Sequence, residues 1–434
     1  MRVWRTGVPA APVWRWVYRI ALVLALPVVI ARLHWRGWKN PAYRLRRRER
    51  FGWSPEGIPD RAIWFHTVSA GETIAAAPLI REVSAAFPGT PVLVTTMTPT
   101  GSEAVGRLFG HDVAHCYAPY DFARSVSRFL ARTRPRTLIL LETELWPNLI
   151  EQSAQRGLPV MLVNARLSER SARGYRLIGG LTRSMLAHID WIACQYADHA
   201  ARFLELGADA ARVEALGSIK FDIRLPNGLA EATEELRGRW GLTERPVWIA
   251  ASTHAGEDEI VLRAHRMLSA ALPELLLVLV PRHPERFQHA AHLSEQAGFA
   301  TRRMTHADTR CDGVQVMVGD TMGKLMVLYG LARVAFVGGS LVHRGGHNPI
   351  EPAALGIPVV MGSHDFNFAD VTARFEAAGC LHRARTVEEL AAEVGALLKD
   401  PVRARREGAV AREVVEQNRG TTAKLVARFR AMMG

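Results

Sequence analysis

From residue 60 onward, short apolar runs alternate with longer stretches whose apolar positions recur at helical spacing. The runs "AIWFHTV", "PVLVTTM", "TLILLE", "PVMLVNA" and "DWIACQ" each lead into such a helical stretch. This alternation predicts βαβ units around a parallel sheet, whose strands are apolar throughout because both faces are covered. After "GSIKFDIRLPNGLAEATEEL" the pattern starts again with "PVWIAAST", "ELLLVLVPR", "VQVMVG", "VAFVGGS" and "PVVMG". Pro and Gly in "LPNGL", Leu225 to Leu229, place a domain boundary between the two series. The expectation is therefore two doubly wound α/β domains in tandem, residues 41–226 and 227–434, the second closing with C-terminal helices. Two such sheets would present their strands' carboxyl ends to a cleft, where ligands bind in these folds. That favours an enzyme without naming a reaction.

The first forty residues follow a different pattern. Ile20 to Ala31 are uninterrupted apolar residues, and extending to Trp14 and Leu33 adds Arg15, Arg19 and Arg32. The shorter segment cannot cross about 30 Å of hydrocarbon, whereas the longer one can if its arginines snorkel. Trp14, Trp16, Trp35 and Trp38 sit where interfacial aromatics belong, and "RLHWRGWKNPAYRLRRRER" follows as a densely basic stretch. Residues 1–40 read as a membrane anchor with a basic flank, either spanning the bilayer or lying in its interface. The positive-inside rule then places the rest of the chain on the cytoplasmic side. A signal peptide would show an A-x-A cleavage site and would not be followed by basic residues; a core helix is the remaining alternative.

Composition narrows the classes. With 434 residues, 48% hydrophobic and 22% charged, the chain can bury sizeable cores and does not fall in the disordered class. A formal charge of +13 favours an anionic partner, whether nucleic acid, an acidic membrane or a phosphorylated substrate. Cys116, Cys194, Cys311 and Cys380 are widely separated, lack C-x-x-C spacing and lie in or beside strand-like runs. They read as reduced core residues, which favours the cytosol.

Three stretches could carry chemistry. In "FHTVSAGETIAAAPLI" a strand ends at Val68, a Ser-Ala-Gly turn follows, and Glu72 opens a helix. Glu72 either complements the helix dipole or acts as a general base, and His66 either packs in the core or takes part in catalysis. In "LLETELWPNL", strand alternation would put Glu142 and Glu144 on one face unless the strand has already turned. A lone E-x-E is poor support for a metal. The favoured reading has one acid organising the site and the other capping the helix after Trp146, with Pro147 in its first turn. In "VAFVGGSLVHRGGHNPIEPAALGIPVVMG" a strand runs into Gly338-Gly339-Ser340, a basic glycine loop and then a helix start at Asn348-Pro349. Such a joint could bind a phosphate, with Glu351 near ribose hydroxyls. Arg282 and His283 end a buried strand, Met322-Gly323-Lys324 precede a helix, and Lys220 falls in the connector, where a surface lysine is the default.

Taken in order from residue 66 to 352, "HTVSAGET", "ETELWPNLI", "NARLSERS", "GSIKFD", "VPRHPERF", "GDTMGKLMVLYG" and "GGSLVHRGGHNPIEPA" resemble the Kdo transferases. These are membrane-associated enzymes that move 3-deoxy-D-manno-octulosonic acid (Kdo) from CMP-Kdo to a lipid A precursor in lipopolysaccharide synthesis. The resemblance implies a GT-B fold: two Rossmann-like doubly wound parallel-sheet domains facing a cleft, acceptor half first, with an N-terminal membrane-anchor helix. It makes Glu72 the general base, and Glu142 and Lys220 the residues that stabilise the transition state. Arg282, His283, Met322, Gly323, Lys324, Asn348, Pro349, Ile350 and Glu351 become the CMP-binding set. Lys324 stands where the family motif is expected to carry Glu, which leaves a side-chain role there in doubt. No cofactor and no metal are implied, and the partners are CMP-Kdo, lipid IVA or a related precursor, and anionic inner-membrane lipids rather than nucleic acid. Two other readings remain: a membrane GT-B enzyme that uses a UDP-sugar, and a non-catalytic sugar- or nucleotide-binding protein.

Overall fold

The computed structural model describes residues 12–306 and 310–433. The chain divides into two compact units: one runs to Asp222 and takes back the chain from Arg419, and the other is Ile223–Asn418. Residues 1–11 of the expected anchor segment, and Gly434, lie outside the described residues.

The first unit is built on strands β1 (Ile63–His66), β2 (Val92–Thr96), β3 (Ala114–Tyr117), β4 (Thr137–Leu141), β5 (Val160–Ala165), β6 (Trp191–Cys194) and β7 (Val213–Ala215). They form a sheet of order β3-β2-β1-β4-β5-β6-β7 in which every pairing is parallel. Successive residues face opposite layers. Trp64, Leu138 and Leu140 enter one core, while Ile63, Phe65, Ile139 and Leu141 enter the other. Both layers are apolar, which is why the inner strands read as continuous hydrophobic runs.

The second unit repeats the plan with β8 (Val247–Thr253), β9 (Leu276–Pro281), β10 (Thr301–Arg303), β11 (Val316–Val318), β12 (Val334–Val337), β13 (Val359–Met361) and β14 (Leu381–Arg383). Its order is β10-β11-β9-β8-β12-β13-β14, again parallel throughout. In each sheet the strand order reverses beside the first strand, at β1/β4 and at β8/β12. The carboxyl ends of those strands are the expected ligand-binding edge.

The C-terminus departs from expectation. Rather than closing the second unit, the helix Thr421–Met433 belongs to the first. Its stripe Leu425, Val426, Phe429 and Met433 completes the core beneath β1, β4 and the helix α2 (Ala70–Ala86). Phe429 meets Trp191 edge-on at 5.8 Å, and Asp222 accepts the Gly420 N–H at 2.6 Å and also the Thr422 N–H. Because Phe221 is fully buried and Asp222 anchors that helix, the first unit extends to residue 222 and the boundary falls before "LPNGL". At the other end, the helix α1 (Pro12–Lys39) contains Pro27 and is long and apolar enough to cross a membrane.

Phe429→Ala is expected to cost about 3–5 kcal/mol, the usual penalty for emptying a fully buried aromatic site. A drop in the midpoint of chemical unfolding checks it; an unchanged midpoint would mean that the last helix contributes nothing to the first unit's core.

Candidate functional site

In the first unit the groups gather where β1 and β4 end. Past His66 the chain is held to β2 by Thr67 N–H to Thr95 O at 3.0 Å and by Met97 N–H to Val68 O at 3.0 Å. Ser69 then caps α2, which begins at Ala70, just before Glu72. The cap is reciprocal: Glu72 N–H donates to Ser69 Oγ at 3.2 Å, and Ser69 Oγ–H donates to Glu72 Oε1 at 3.0 Å. Val68 N–H donates to Glu72 Oε2 at 2.9 Å. Burial, followed by the negative charge of Glu144, pushes the half-buried Glu72 carboxyl up to about 8, against the pull of the Val68 N–H. The carboxyl is thus held by its own turn and poised near neutrality. Since the fold favours its protonated form, its contribution to stability is present at acid pH and is lost as pH rises from 4.5 towards about 8.

His66 is fully buried between Trp64 and Trp146, with its ring 4.6 Å from Trp146 and Nδ1 3.1 Å from Thr95 Oγ1. Burial lowers it to about 3, so it is a neutral core residue.

The strand has already turned at Glu142. β4 stops at Leu141, Glu142 adopts φ 55°, and Glu144 N–H returns to Leu141 O at 3.3 Å. The shared strand face expected for Glu142 and Glu144 is therefore absent. A left-handed conformation in a non-glycine residue is costly and persists only where neighbours enforce it. Here Thr143 Oγ1 donates to Arg166 O at 2.6 Å, and Glu142 N–H donates to Val163 O at 3.1 Å. Neither acid caps the next helix, Pro147–Gln155; Glu144 instead accepts the Trp146 Nε1–H at 2.8 Å. Asp121 supplies the cap by accepting Asn148 N–H at 3.0 Å and Leu149 N–H at 2.8 Å.

Lys220 is set by a 3₁₀ turn, Ile219–Phe221, that closes the first unit. Ile219 N–H in that turn donates to Asn164 Oδ1 at 3.2 Å, and Lys220 Nζ lies 3.4 Å from Glu142 Oε1. Asn164 itself has φ 52° at the irregular end of β5. The structure thus gathers Glu72, Glu142, Glu144 and Lys220 at one sheet edge. Asn164 and Asp121, which sequence reasoning gave no role, hold the loops that carry them. Among the described residues, no group of three or more His, Cys, Asp or Glu side chains is arranged to hold a metal ion.

In the second unit the glycine loop has a different occupant from the one expected. The N–H groups of Gly339, Ser340 and Leu341 donate to the buried carboxylate of Glu257 at 2.7, 3.0 and 2.9 Å, and His254 N–H joins them at 2.9 Å. The nest that could cradle a phosphate is filled by the chain's own anion. Gly338 is required by close approach, since a Cβ there would lie 2.7 Å from Ser252 O. The helix after Asn348-Pro349 is only Ile350–Ala354, and Asn348 Oδ1 accepts its first N–H, that of Ile350, at 3.0 Å.

The cations and polar groups do converge. Arg282, at the end of β9, lies within electrostatic reach of Glu351, His347 and His254. Asn348 Nδ2 donates to Glu351 Oε1 at 3.3 Å, and burial raises the Glu351 carboxyl. His254 stacks on His347 with ring centroids 5.1 Å apart and Nε2 atoms 2.8 Å apart, and His283 meets His254 edge-on at 5.4 Å. Burial, then neighbouring positive groups, lowers His347 to about 3 and His254 to about 4, so both rings are neutral. Met322, Gly323 and Lys324 form the turn before the helix Leu325–Leu331; Gly323 has φ 78°, and Tyr329 of that helix lies beside Glu351.

Glu257→Ala would leave four N–H groups without their acceptor, and the expected loss is at least about 3 kcal/mol. Differential scanning calorimetry reads it. A wild-type melting profile would mean that the loop does not depend on this carboxylate.

Residues 45–223 match the family model described as 3-deoxy-D-manno-octulosonic-acid transferase (kdotransferase). A 3-deoxy-D-manno-octulosonic acid transferase of Haemophilus influenzae is 41% identical over 95% of this chain and 97% of its own length. One from Bordetella pertussis is 38% identical over 94% and 97%. Among solved structures, a glycosyltransferase from Rickettsia africae aligns over 86% of this chain and 99% of its own, with TM-score 0.53 at 11% identity, a likeness of fold alone.

Proposed function

The chain belongs to the 3-deoxy-D-manno-octulosonic acid transferase family of glycosyltransferases, and from that premise we propose that it transfers Kdo from CMP-Kdo to lipid IVA or a related lipid A precursor. The transfer is inverting and metal-independent, and it takes place at the cytoplasmic face of the inner membrane, with α1 as the anchor. The observation that carries the catalytic reading is the Glu72 carboxyl, held at the carboxyl end of β1 and raised to about 8. As the acceptor hydroxyl oxygen bonds to the anomeric carbon of Kdo, its proton passes to Glu72. The bond from that carbon to the phosphate oxygen breaks, and its electron pair leaves with CMP. Attack opposite the leaving phosphate inverts the configuration. Lys220, paired with Glu142, places a cation beside the reacting groups where charge develops.

For the donor, Arg282 and His283 answer the phosphate charge, and Glu351 with Asn348 takes the ribose hydroxyls. Pro349 and Ile350 fix the turn that aims these two. Met322, Gly323 and Lys324 contribute backbone atoms at a glycine turn, a role that tolerates Lys324 in place of the Glu expected in the family motif. Leaving-group charge met by Arg and His needs no divalent ion. A chelator is therefore expected to leave the transfer rate unchanged, and a loss restored by Mg²⁺ would overturn metal independence.

Glu72→Gln isolates the base. Glutamine also serves at this position of a reciprocal cap, so the turn is kept while proton acceptance is lost. The expected result is CMP-Kdo binding as in the wild type with transfer reduced on the order of 10²-fold or more. In the wild type, kcat/KM should rise with pH, reach half its maximum near 8 and level off about one unit above, because only the deprotonated carboxylate accepts the proton. An unchanged rate or pH profile in the variant would remove Glu72 from the chemistry. The activity itself is tested by incubating detergent-solubilised protein with CMP-Kdo and tetra-acyl lipid A precursor and weighing the lipid by mass spectrometry. Transfer from a UDP-sugar but not from CMP-Kdo would overturn the donor assignment.

A further inference from the structure

The helix α1 has two unlike faces along its whole length. Buried or half-buried positions recur at helical spacing, among them Arg15, Tyr18, Leu22, Val29, Leu33 and Gly37. On the other side Trp16, Ile20, Leu24, Val28, Trp35 and Trp38 are exposed, Leu24 to 74% and Trp38 to 81%.

The shielded face is fastened to the first unit near its start, and at its end it packs on the turn that follows and leads back into that unit. Near the start, Arg15 pairs with Glu151 at 2.7 Å, Tyr18 OH donates to Asp121 Oδ2 at 2.8 Å and Arg19 Nε donates to Asn148 Oδ1 at 2.9 Å. Near the end, the Arg36 guanidinium lies 5.6 Å from the Tyr43 ring centroid, and Gly37 packs on Arg44. The chain just beyond is pinned to the same unit by Arg50 Nη1–H to Met97 O at 2.8 Å and Tyr120 N–H to Arg50 O at 2.7 Å.

From Arg15 to Arg36 the helix axis advances about 31 Å, as much as the hydrocarbon thickness of a bilayer, about 30 Å. A spanning helix would carry one of these two contact sets across the membrane. Both lie on one folded unit with polar surfaces, which cannot occupy both sides. We infer that α1 lies in the plane of the membrane interface, its tryptophan-lined aliphatic face in the headgroup–acyl boundary of an anionic bilayer and its opposite face seated on the first unit. The exposed Arg32, Lys39, Arg44 and Arg48 around that face supply attraction to anionic headgroups. This rests on the membrane-anchor part of the proposed function and is independent of donor and acceptor.

The four native cysteines are buried, so thiol reagents report on introduced ones. A nitroxide on Leu24→Cys, in the full-length protein bound to vesicles of phosphatidylethanolamine and phosphatidylglycerol, is expected about 5–10 Å below the headgroups by power-saturation EPR. A depth of roughly 15 Å, the middle of the hydrocarbon, would overturn the in-plane orientation. Independently, a membrane-impermeant maleimide should reach Val13→Cys and Lys39→Cys from the same side of sealed vesicles; labelling from opposite sides would also overturn it. If the protein fails to sediment with the vesicles at all, the membrane reading falls and this inference with it, whereas Kdo transfer in detergent would be untouched.

Discussion

Backbone N–H groups at the carboxyl edge of a parallel sheet have no strand or helix partner of their own, and leaving them buried and unpaired is costly. In this chain carboxylates satisfy them. Glu72 takes the Val68 N–H, Asp121 takes those of Asn148 and Leu149, and Glu257 takes four around the glycine loop. These internal carboxyl groups hold the strand-to-helix turns in shape before any substrate arrives. They also occupy the places where, in other doubly wound proteins, a phosphate would sit.

This arrangement explains why the charge of the second unit matters more than its glycines. With the nest at Gly339 to Leu341 closed by Glu257, an incoming phosphate must be met by side chains, and Arg282 is the cation within reach of Glu351, His347 and His254. The stacked histidines are neutral, held so by burial and by the cations around them. They supply shape and a hydrogen bond rather than charge. In the first unit the balance runs the other way: burial first, and then the negative charges of Glu144 and Glu142, raise the Glu72 carboxyl, so that it is poised rather than permanently ionised.

The ten inner strands were legible because burial on both faces makes them continuous apolar runs. The four that the hydrophobic pattern does not reveal, β3, β7, β10 and β14, are the four sheet edges. Edge strands are short and tolerate polar residues, as "VEA" and "TRR" do, so they carry little hydrophobic signal. The same distinction between local and distant partners separates the site residues. Glu72 is readable because its cap partner is three residues away. Asp121 stands next to the helix Ala123–Thr133 and reads as belonging to it, although the N–H groups it serves lie 27 and 28 residues further on. Glu257 likewise reads as an ordinary first-turn acid of the helix Glu257–Ala271, while its partners at Gly339 to Leu341 lie more than eighty residues away. The turn at Glu142 stayed an open alternative for a different reason: alternation describes a strand only while it lasts, and β4 ends one residue earlier.

Asp121 shows how far such a hidden anion reaches. One carboxylate caps the helix Pro147–Gln155 and accepts the Tyr18 hydroxyl of α1, so the apolar helix and the loop ending at Trp146 share an anchor point. Trp146 in turn packs on His66, the last residue of β1, and its indole N–H holds Glu144. A continuous set of rigid contacts therefore runs from α1 through Asp121 and Trp146 to the acid cluster around Glu72. Close packing leaves such a path little slack, because displacing one member opens a void or strands a buried polar group. The seat of α1 and the start of the helix after Trp146 are consequently one structural problem, solved by the same carboxylate.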